Sequence, residues 1–169
     1  MRLLTLAVVL ALAGCGQPAS APEETPAASA PATTAAAAPA TTEENGEEAA
    51  ERQAAVAALP APYNAASYEA GQRVFAQCRS CHVIEAGAPH RVGPNLHGVF
   101  GREIGSAVGF TYSQAVQDAN FTWDAAQLDH WLSNPQTFLP GNRMAFAGVR
   151  NETQRRDLIA YLMVESAED

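Results

Sequence analysis

The stretch from Cys78 to His82 constrains this chain more than any other feature of its sequence. It reads Cys-Arg-Ser-Cys-His. Two thiols at this spacing can add to the two vinyl groups of one porphyrin, and the residue that follows can ligate the iron. The same cysteine spacing occurs in redox dithiols and in halves of zinc sites, but the adjoining His distinguishes haem attachment from both. The motif therefore predicts one covalently bound haem, and a fold that wraps around it.

The N-terminus predicts export. Arg2 is followed by an apolar run over residues 3–13 and then by Ala13-Gly14-Cys15. This order is typical of a secretory signal, here residues 1–14. Leu12 to Cys15 also resembles the lipobox of bacterial lipoproteins, in which the Cys is acylated and becomes the mature N-terminus. A signal that happens to contain a Cys stays open as an alternative, whereas an uncleaved anchor would need about 20 apolar residues.

Residues 15–62 have the composition of a disordered tether. Residues 16–62 contain seven Glu, one Arg and no aromatic residue, and are otherwise rich in Ala, Pro and Thr. Such a segment cannot bury enough apolar surface to offset its chain entropy. A flexible chain of this length spans roughly 35 to 40 Å, and about 155 Å when extended. Glu47 to Leu59 could form a helix, but without a packing surface it would be only marginally stable.

The charge argues against nucleic-acid binding, and the cysteine count argues against a disulfide. The net charge is -8 and every one of the ten basic residues is Arg. No concentrated basic face is present, so the chain does not resemble a nucleic-acid-binding protein. Of the three cysteines, two belong to the haem motif and Cys15 to the signal. We therefore expect no disulfide.

Residues 63–169 predict an all-α domain of four or five helices. Ser67, Asp124 and Asn151 are expected to cap three of them, because each precedes a segment with apolar residues at helical spacing. A short helix is expected near Tyr112 to Ala119. Residues 83–109 are rich in Gly and Pro and must form a loop. So long a loop needs a buried cofactor to wrap around.

The iron of a porphyrin has two axial positions, of which His82 would fill one, so the other needs a ligand from a distant part of the chain. From the residues alone the candidates are three histidines and two methionines: His90, His97, His130, Met144 and Met163. Met163 lies within the last predicted helix, where a Met more often fills the core. Met144 lies in the turn 140–146, which can present a thioether at a loop tip. The remaining candidates stay open at this point.

Residues 63–169 resemble class I cytochrome c, of the mitochondrial type and its bacterial relatives. The similarity extends from Gly71 to Leu162, and its landmarks are Gly71-x-x-Val74-Phe75, the haem motif, Gly93-Pro94-Asn95-Leu96-His97-Gly98, Gly101-Arg102, Tyr112, Trp123, Asn134-Pro135, the Met144 loop and Asp157 to Leu162. The resemblance implies the class I cytochrome c fold, wrapped around one haem c and preceded here by the disordered linker.

The resemblance also implies a role for each matching residue. Cys78 and Cys81 would form the thioethers, and His82 and Met144 would be the axial ligands, with the Pro94 carbonyl bound to the imidazole. Four side chains would contact the propionates: Arg102, Tyr112, Trp123 and Asn142. Two departures affect this set, because Asn142 replaces the usual Thr and Trp131 replaces a Tyr. We expect His90 to bond a loop carbonyl, and His97 and His130 to lie at the surface.

The implied function is one-electron transfer by a monomeric carrier that is not an enzyme. The expected partners are membrane complexes of a respiratory or photosynthetic chain, such as a cytochrome bc complex and a terminal oxidase. Lipidated Cys15 would anchor the protein on the periplasmic side of a bacterial membrane, inner or outer. The usual lysines around the haem edge are absent and are replaced by Gln77, Ala86, Pro89, Gln136 and Thr137. The alternative is a haem peroxidase or gas sensor with a displaceable sixth ligand.

Overall fold

The fold within the described part of the chain is helical. The computed structural model describes residues 42–167, and side chains from residue 46 onward. The helices are α1 (Thr42–Ala57), α2 (Tyr68–Phe75), α3 (Gln114–Gln117), α4 (Ala125–Ser133), α5 (Pro135–Phe138) and α6 (Glu152–Glu165), with a 3-10 turn at Tyr63–Ala65. Across those residues the only β-pairing is one isolated bridge between Glu103 and Thr122. The all-α prediction is confirmed. No helix in this range is both long and apolar enough to cross a membrane.

Three helices begin at the residues that the sequence indicated. The side chains of Ser67, Asp124 and Asn151 accept hydrogen bonds from the backbone N–H three residues later. Each bond satisfies one of the donors that a helix N-terminus leaves free. The additional helix α5 has the same cause, because Asn134 caps it and Pro135 occupies its first position.

The core is built where α2 crosses α6. The ring of Tyr161 lies 5.1 Å from Phe75 and 5.2 Å from Tyr68, centroid to centroid. A Cβ placed on Gly71 would lie 2.2 Å from the carbonyl oxygen of Asp157. The two helices therefore approach so closely at Gly71 that only a residue without a side chain fits. This crossing fixes the end of α2, from which the haem motif continues.

Helix α1 corrects the predicted tether. We expected residues 15–62 to be disordered, with at most a marginal helix over Glu47–Leu59. The structure instead has a helix of 16 residues at Thr42–Ala57, and its Val56 is fully buried. Gln53 receives a hydrogen bond from the Tyr68 N–H at 2.9 Å and donates to the Ala66 carbonyl at 3.0 Å. The domain itself supplies the packing surface that the local sequence lacked. Residues 1–41, with Cys15, lie outside the described residues.

A polar cluster joins α1 to both helices of the core crossing. The Arg52 guanidinium donates to the Tyr68 hydroxyl at 2.7 Å and to the Glu165 carboxylate at 2.8 Å. The Tyr68 hydroxyl also donates to Glu165, at 2.7 Å. Burial is the main cause that raises the pKa of Tyr68 to about 12. The phenol therefore stays protonated at neutral pH and keeps its bond to Glu165.

Candidate functional site

The haem motif lies on a tight turn that continues from α2. The Cys78 N–H donates to the Phe75 carbonyl at 2.8 Å, and the N–H groups of Cys81 and His82 donate to the Cys78 carbonyl at 3.0 and 2.8 Å. Both cysteines are free thiols and half-buried. Burial, and secondarily Cys81, raises the pKa of Cys78 to about 11. The turn therefore holds two cysteine side chains and an imidazole next to each other.

The ring of His82 is fixed in one orientation. Its Nδ1 lies 2.8 Å from the Pro94 carbonyl oxygen, which can only accept, so Nδ1 carries the proton. Burial lowers the pKa of His82, although the Pro94 carbonyl opposes that shift. The imidazole is thus neutral, with the lone pair of Nε2 available to a metal. A Cβ on Gly93 would lie 2.3 Å from His82 Cε1. The ring therefore packs directly against the backbone of this glycine, where no side chain fits.

A connected row of half-buried aromatic rings suits a large flat cofactor. Trp123 packs edge-to-face against Phe121 at 4.9 Å and against Trp131 at 5.5 Å. Phe138 extends the row, 5.9 Å from Trp131. Such rings offer the apolar surface that a porphyrin needs. Together with two thiols and a neutral imidazole on one turn, this surface fits haem.

The structure brings together three of the residues expected at the propionates. The backbones of Arg102 and Trp123 are bonded, since the Trp123 N–H donates to the Arg102 carbonyl at 2.9 Å. The Arg102 guanidinium donates to the carbonyls of Asn95 and His97 at 3.0 and 3.1 Å. Tyr112 is half-buried, and burial raises its pKa, while a hydrogen bond donated by the Ala107 backbone N–H and then the Arg102 charge lower it. One cation and two aromatic donors thus share a neighbourhood.

The Asn142 side chain is bonded within the Met144 loop. The Asn142 side chain is 8% exposed, and its amide donates to the carbonyls of Pro135 and Leu139, both at 2.8 Å. Its oxygen accepts from the Met144 N–H at 2.9 Å. We expected this residue to contact a propionate. Both amide N–H groups are used within the loop, so Asn142 binds the segment that carries the half-buried Met144, and the propionate contact stays a prediction.

The other candidate ligands are placed less well. His90 uses both ring nitrogens, since Nδ1 accepts from the Asn95 N–H and Nε2 donates to the Val108 carbonyl, each at 2.9 Å. His130 is exposed on α4 and His97 is half-buried in the loop. Met163 packs against the core from α6. The structure thus gives His90 and Met163 other contacts, and the choice of Met144 as the second ligand stays a prediction.

Sequence reasoning missed the part that Gln136 plays. We treated it only as an uncharged replacement at the haem edge. Its amide donates to the Met144 carbonyl at 2.8 Å and to the Asn142 side-chain oxygen at 3.3 Å. The sequence signal that could have indicated this role is the presence of two amide side chains, Gln136 and Asn142, on either side of a turn. Nothing in their spacing indicates that they meet, since this depends on how the chain returns after α5.

Curated relatives match the domain over most of their own length. Cytochrome c of Kluyveromyces lactis is 44% identical over 106 residues, which is 62% of this chain and 96% of that protein. Cytochrome c of Chlamydomonas reinhardtii is 47% identical over 98 residues, or 57% and 88%. Cytochrome c2 of Rhodoblastus acidophilus is 45% identical over 94 residues, or 56% and 88%. No protein-family model matches the chain.

Identity at this level over nearly the whole of each relative agrees with the geometry of the turn, the imidazole and the aromatic row. The cofactor is one covalently bound haem c. The protein is an electron carrier rather than an enzyme. The chain belongs to the class I cytochrome c family.

Proposed function

We propose that this chain transfers one electron at a time through a haem with His82 and Met144 as axial ligands and with Cys78 and Cys81 as its thioether links. The observation that carries the proposal is the seating of His82, whose ring lies on Gly93 with Nδ1 bonded to Pro94. An imidazole held in this way presents Nε2 in one direction. The adjacent thiols tie the cofactor to that direction.

Each residue has a distinct task in this proposal. When bound, the haem supplies the reversible one-electron chemistry of its iron. The His82 imidazole gives one axial bond, and the Met144 thioether gives the other and favours the reduced state. Arg102, Tyr112 and Trp123 are donors that would compensate the propionate charges, which are expensive to bury alone. With both axial positions filled, no substrate has access to the metal.

The ligand assignment predicts a specific spectrum. The ferric protein is expected to show the weak near-infrared band of a methionine-to-iron bond, and the ferrous protein is expected not to bind carbon monoxide readily. A Met144→Ala variant should lose the band and gain carbon monoxide binding. Its reduction potential should be lower by a few tenths of a volt, within the range of roughly 0.8 V that axial ligands span. Met163→Leu is the control, because Met163 packs in the core.

The opposite result is equally informative. Ready carbon monoxide binding by the unmodified ferrous protein would contradict the assignment and would favour a peroxidase or gas sensor.

The proposed partners are membrane electron-transfer complexes, namely a cytochrome bc complex and a terminal oxidase or a photosynthetic counterpart. A bacterial cytochrome c2 among the relatives supports a periplasmic location. The haem edge offers little steering charge, because Gln77, Ala86, Pro89, Gln136 and Thr137 replace the usual lysines and only a few Arg, such as Arg91 and Arg143, keep positive charge near it. The Arg91 guanidinium is bonded to the Arg79 carbonyl at 2.8 Å and that of Arg143 to the Thr111 carbonyl. Long-range attraction to an acidic partner is therefore weak.

A tether would compensate for weak steering. In this proposal residues 1–14 are removed as a signal, Cys15 carries the lipid, and the 26 residues from Gly16 to Thr41 link it to α1. A flexible chain of that length spans roughly 25 to 30 Å and extends to about 90 Å. It holds the domain at an effective concentration of up to about millimolar near the membrane. Docking of α1 thus shortens the reach that we expected from the sequence.

A Cys15→Ser variant tests the tether. It is expected to release the holoprotein from the membrane and to reduce electron delivery to the oxidase in intact cells by about tenfold or more, since a local concentration is lost. The purified variant should have an unchanged spectrum and potential. The measurement is oxidase turnover in intact cells that carry the variant. Unchanged turnover there, after release of the protein from the membrane, would refute the tether.

A further inference from the structure

Helix α5 and the Met144 loop that follows it contain two amide side chains in contact, Gln136 in α5 and Asn142 in the loop, which we call the amide pair. Their atoms lie 3.3 Å apart, Gln136 Nε2 to Asn142 Oδ1. Asn142 is buried and Gln136 is exposed. The pair bonds to three residues, Pro135, Leu139 and Met144, so its contacts are local to α5 and the Met144 loop.

Asn142 uses its whole hydrogen-bonding capacity in this position. Its two amide hydrogens donate to the Pro135 and Leu139 carbonyls at 2.8 Å, and its oxygen accepts from the Met144 N–H at 2.9 Å and from Gln136. The orientation of the amide is determined by these partners, because a flipped amide would place its oxygen against two carbonyl oxygens. An Asn is therefore required in this arrangement, and an isosteric Asp cannot replace it.

Gln136 completes the arrangement from the surface. Its amide nitrogen donates to the Met144 carbonyl at 2.8 Å. Met144 is thus held on both sides of its own backbone, by Asn142 at the N–H and by Gln136 at the carbonyl. Two further bonds act on this segment: the Phe146 N–H also donates to the Met144 carbonyl, at 3.0 Å, and the Arg143 guanidinium donates to the Thr111 carbonyl. Beyond the loop, the Val149 N–H donates to the Leu132 carbonyl at 2.7 Å.

We propose that the amide pair is a positioning device for the sixth ligand, which keeps Met144 presented to the iron by hydrogen bonds within the polypeptide. The inference rests on the proposed His82 and Met144 ligation. A ligand on a loop is displaced when the loop opens, so bonds that close the loop oppose displacement. The pair thus acts on how readily an external ligand replaces the thioether, and on the six-coordinate state that suits an electron carrier.

The test measures replacement of Met144 by imidazole in the ferric holoprotein. Asn142→Asp keeps the shape and the acceptor for the Met144 N–H but removes both donors and sets an oxygen against two carbonyls. The apparent affinity for imidazole is expected to rise about ten- to a hundredfold, the effect of losing two buried hydrogen bonds. Gln136→Ala, a surface change that leaves the fold intact, should raise it less, about threefold. Thr137→Ala is the matched control, because this neighbour is equally exposed and its side chain makes none of these bonds.

Hydrogen exchange supplies a second readout that does not depend on activity. The Met144 amide should exchange faster in Asn142→Asp, while the Val149 amide should be unchanged. Lower stability with unchanged imidazole affinity in both variants would overturn the positioning role and leave only a structural one. An unmodified protein without the methionine-to-iron band would overturn the ligand assignment itself, and a protein that shows the band but no change in either variant would overturn the amide pair alone.

Discussion

A Gly93→Ala variant is expected to disrupt the packing of His82, the proposed axial ligand, against residue 93. The added Cβ would lie 2.3 Å from His82 Cε1 and 2.7 Å from both ring nitrogens. The ring has to move, and with it goes the bond from Nδ1 to the Pro94 carbonyl. Overpacking of this kind costs about 1–3 kcal/mol and the hydrogen bond about 1 kcal/mol more. We expect the yield of haem-loaded, six-coordinate protein to fall at least severalfold.

The measurement is the fraction of purified protein that shows both the covalent haem and the near-infrared methionine band. Gly46→Ala is the control, because a Cβ at Gly46 in α1 meets nothing within 4 Å. A normal yield and spectrum for Gly93→Ala would mean that His82 does not rest on this glycine. The assignment of His82 orientation would then have to be abandoned.

A Gly71→Ala variant is expected to destabilise the domain by about 3 kcal/mol or more. The new Cβ would lie 2.2 Å from the Asp157 carbonyl oxygen and 2.6 Å from Tyr161 Cβ. A backbone carbonyl inside a helix cannot move away, so α2 and α6 have to separate. This separation loosens the packing of Tyr161 against Phe75 and Tyr68, a change of the kind that produces the largest mutational effects.

Urea unfolding of the holoprotein gives the free energy of unfolding for this comparison. The same substitution at Gly46 should stabilise by up to about 1 kcal/mol, because Ala is the better helix former and no atom opposes it. Equal stabilities for the Gly71 variant and the unmodified protein would contradict the close crossing.

Local features of the fold were predictable from the sequence. Ser67, Asp124 and Asn151 cap helices as expected, because a capping side chain bonds a backbone N–H three residues away. The docking of α1 was not predictable, because the residues that it contacts are distant from it in the sequence. Arg52 is bonded to Glu165, 113 positions along the chain. Whether an Ala-rich helix finds such a partner is a property of the folded surface and not of its own residues.

The candidate site divides in the same way. Cys78, Cys81 and His82 are neighbours in the chain, so their spacing alone predicted haem attachment here, and Met144 stood out because it lies in the turn 140–146. The bonds of Met144 to Gln136 and Asn142 are local to one loop and the short helix before it. The contacts of His82 with Gly93 and of Arg102 with Trp123 join segments that are separate in the sequence. These contacts exist only once the chain has closed, because their geometry is set by the packing of the whole domain. The sequence alone determined which cofactor to expect, and the tertiary structure decided how the residues proposed to ligate that cofactor are held.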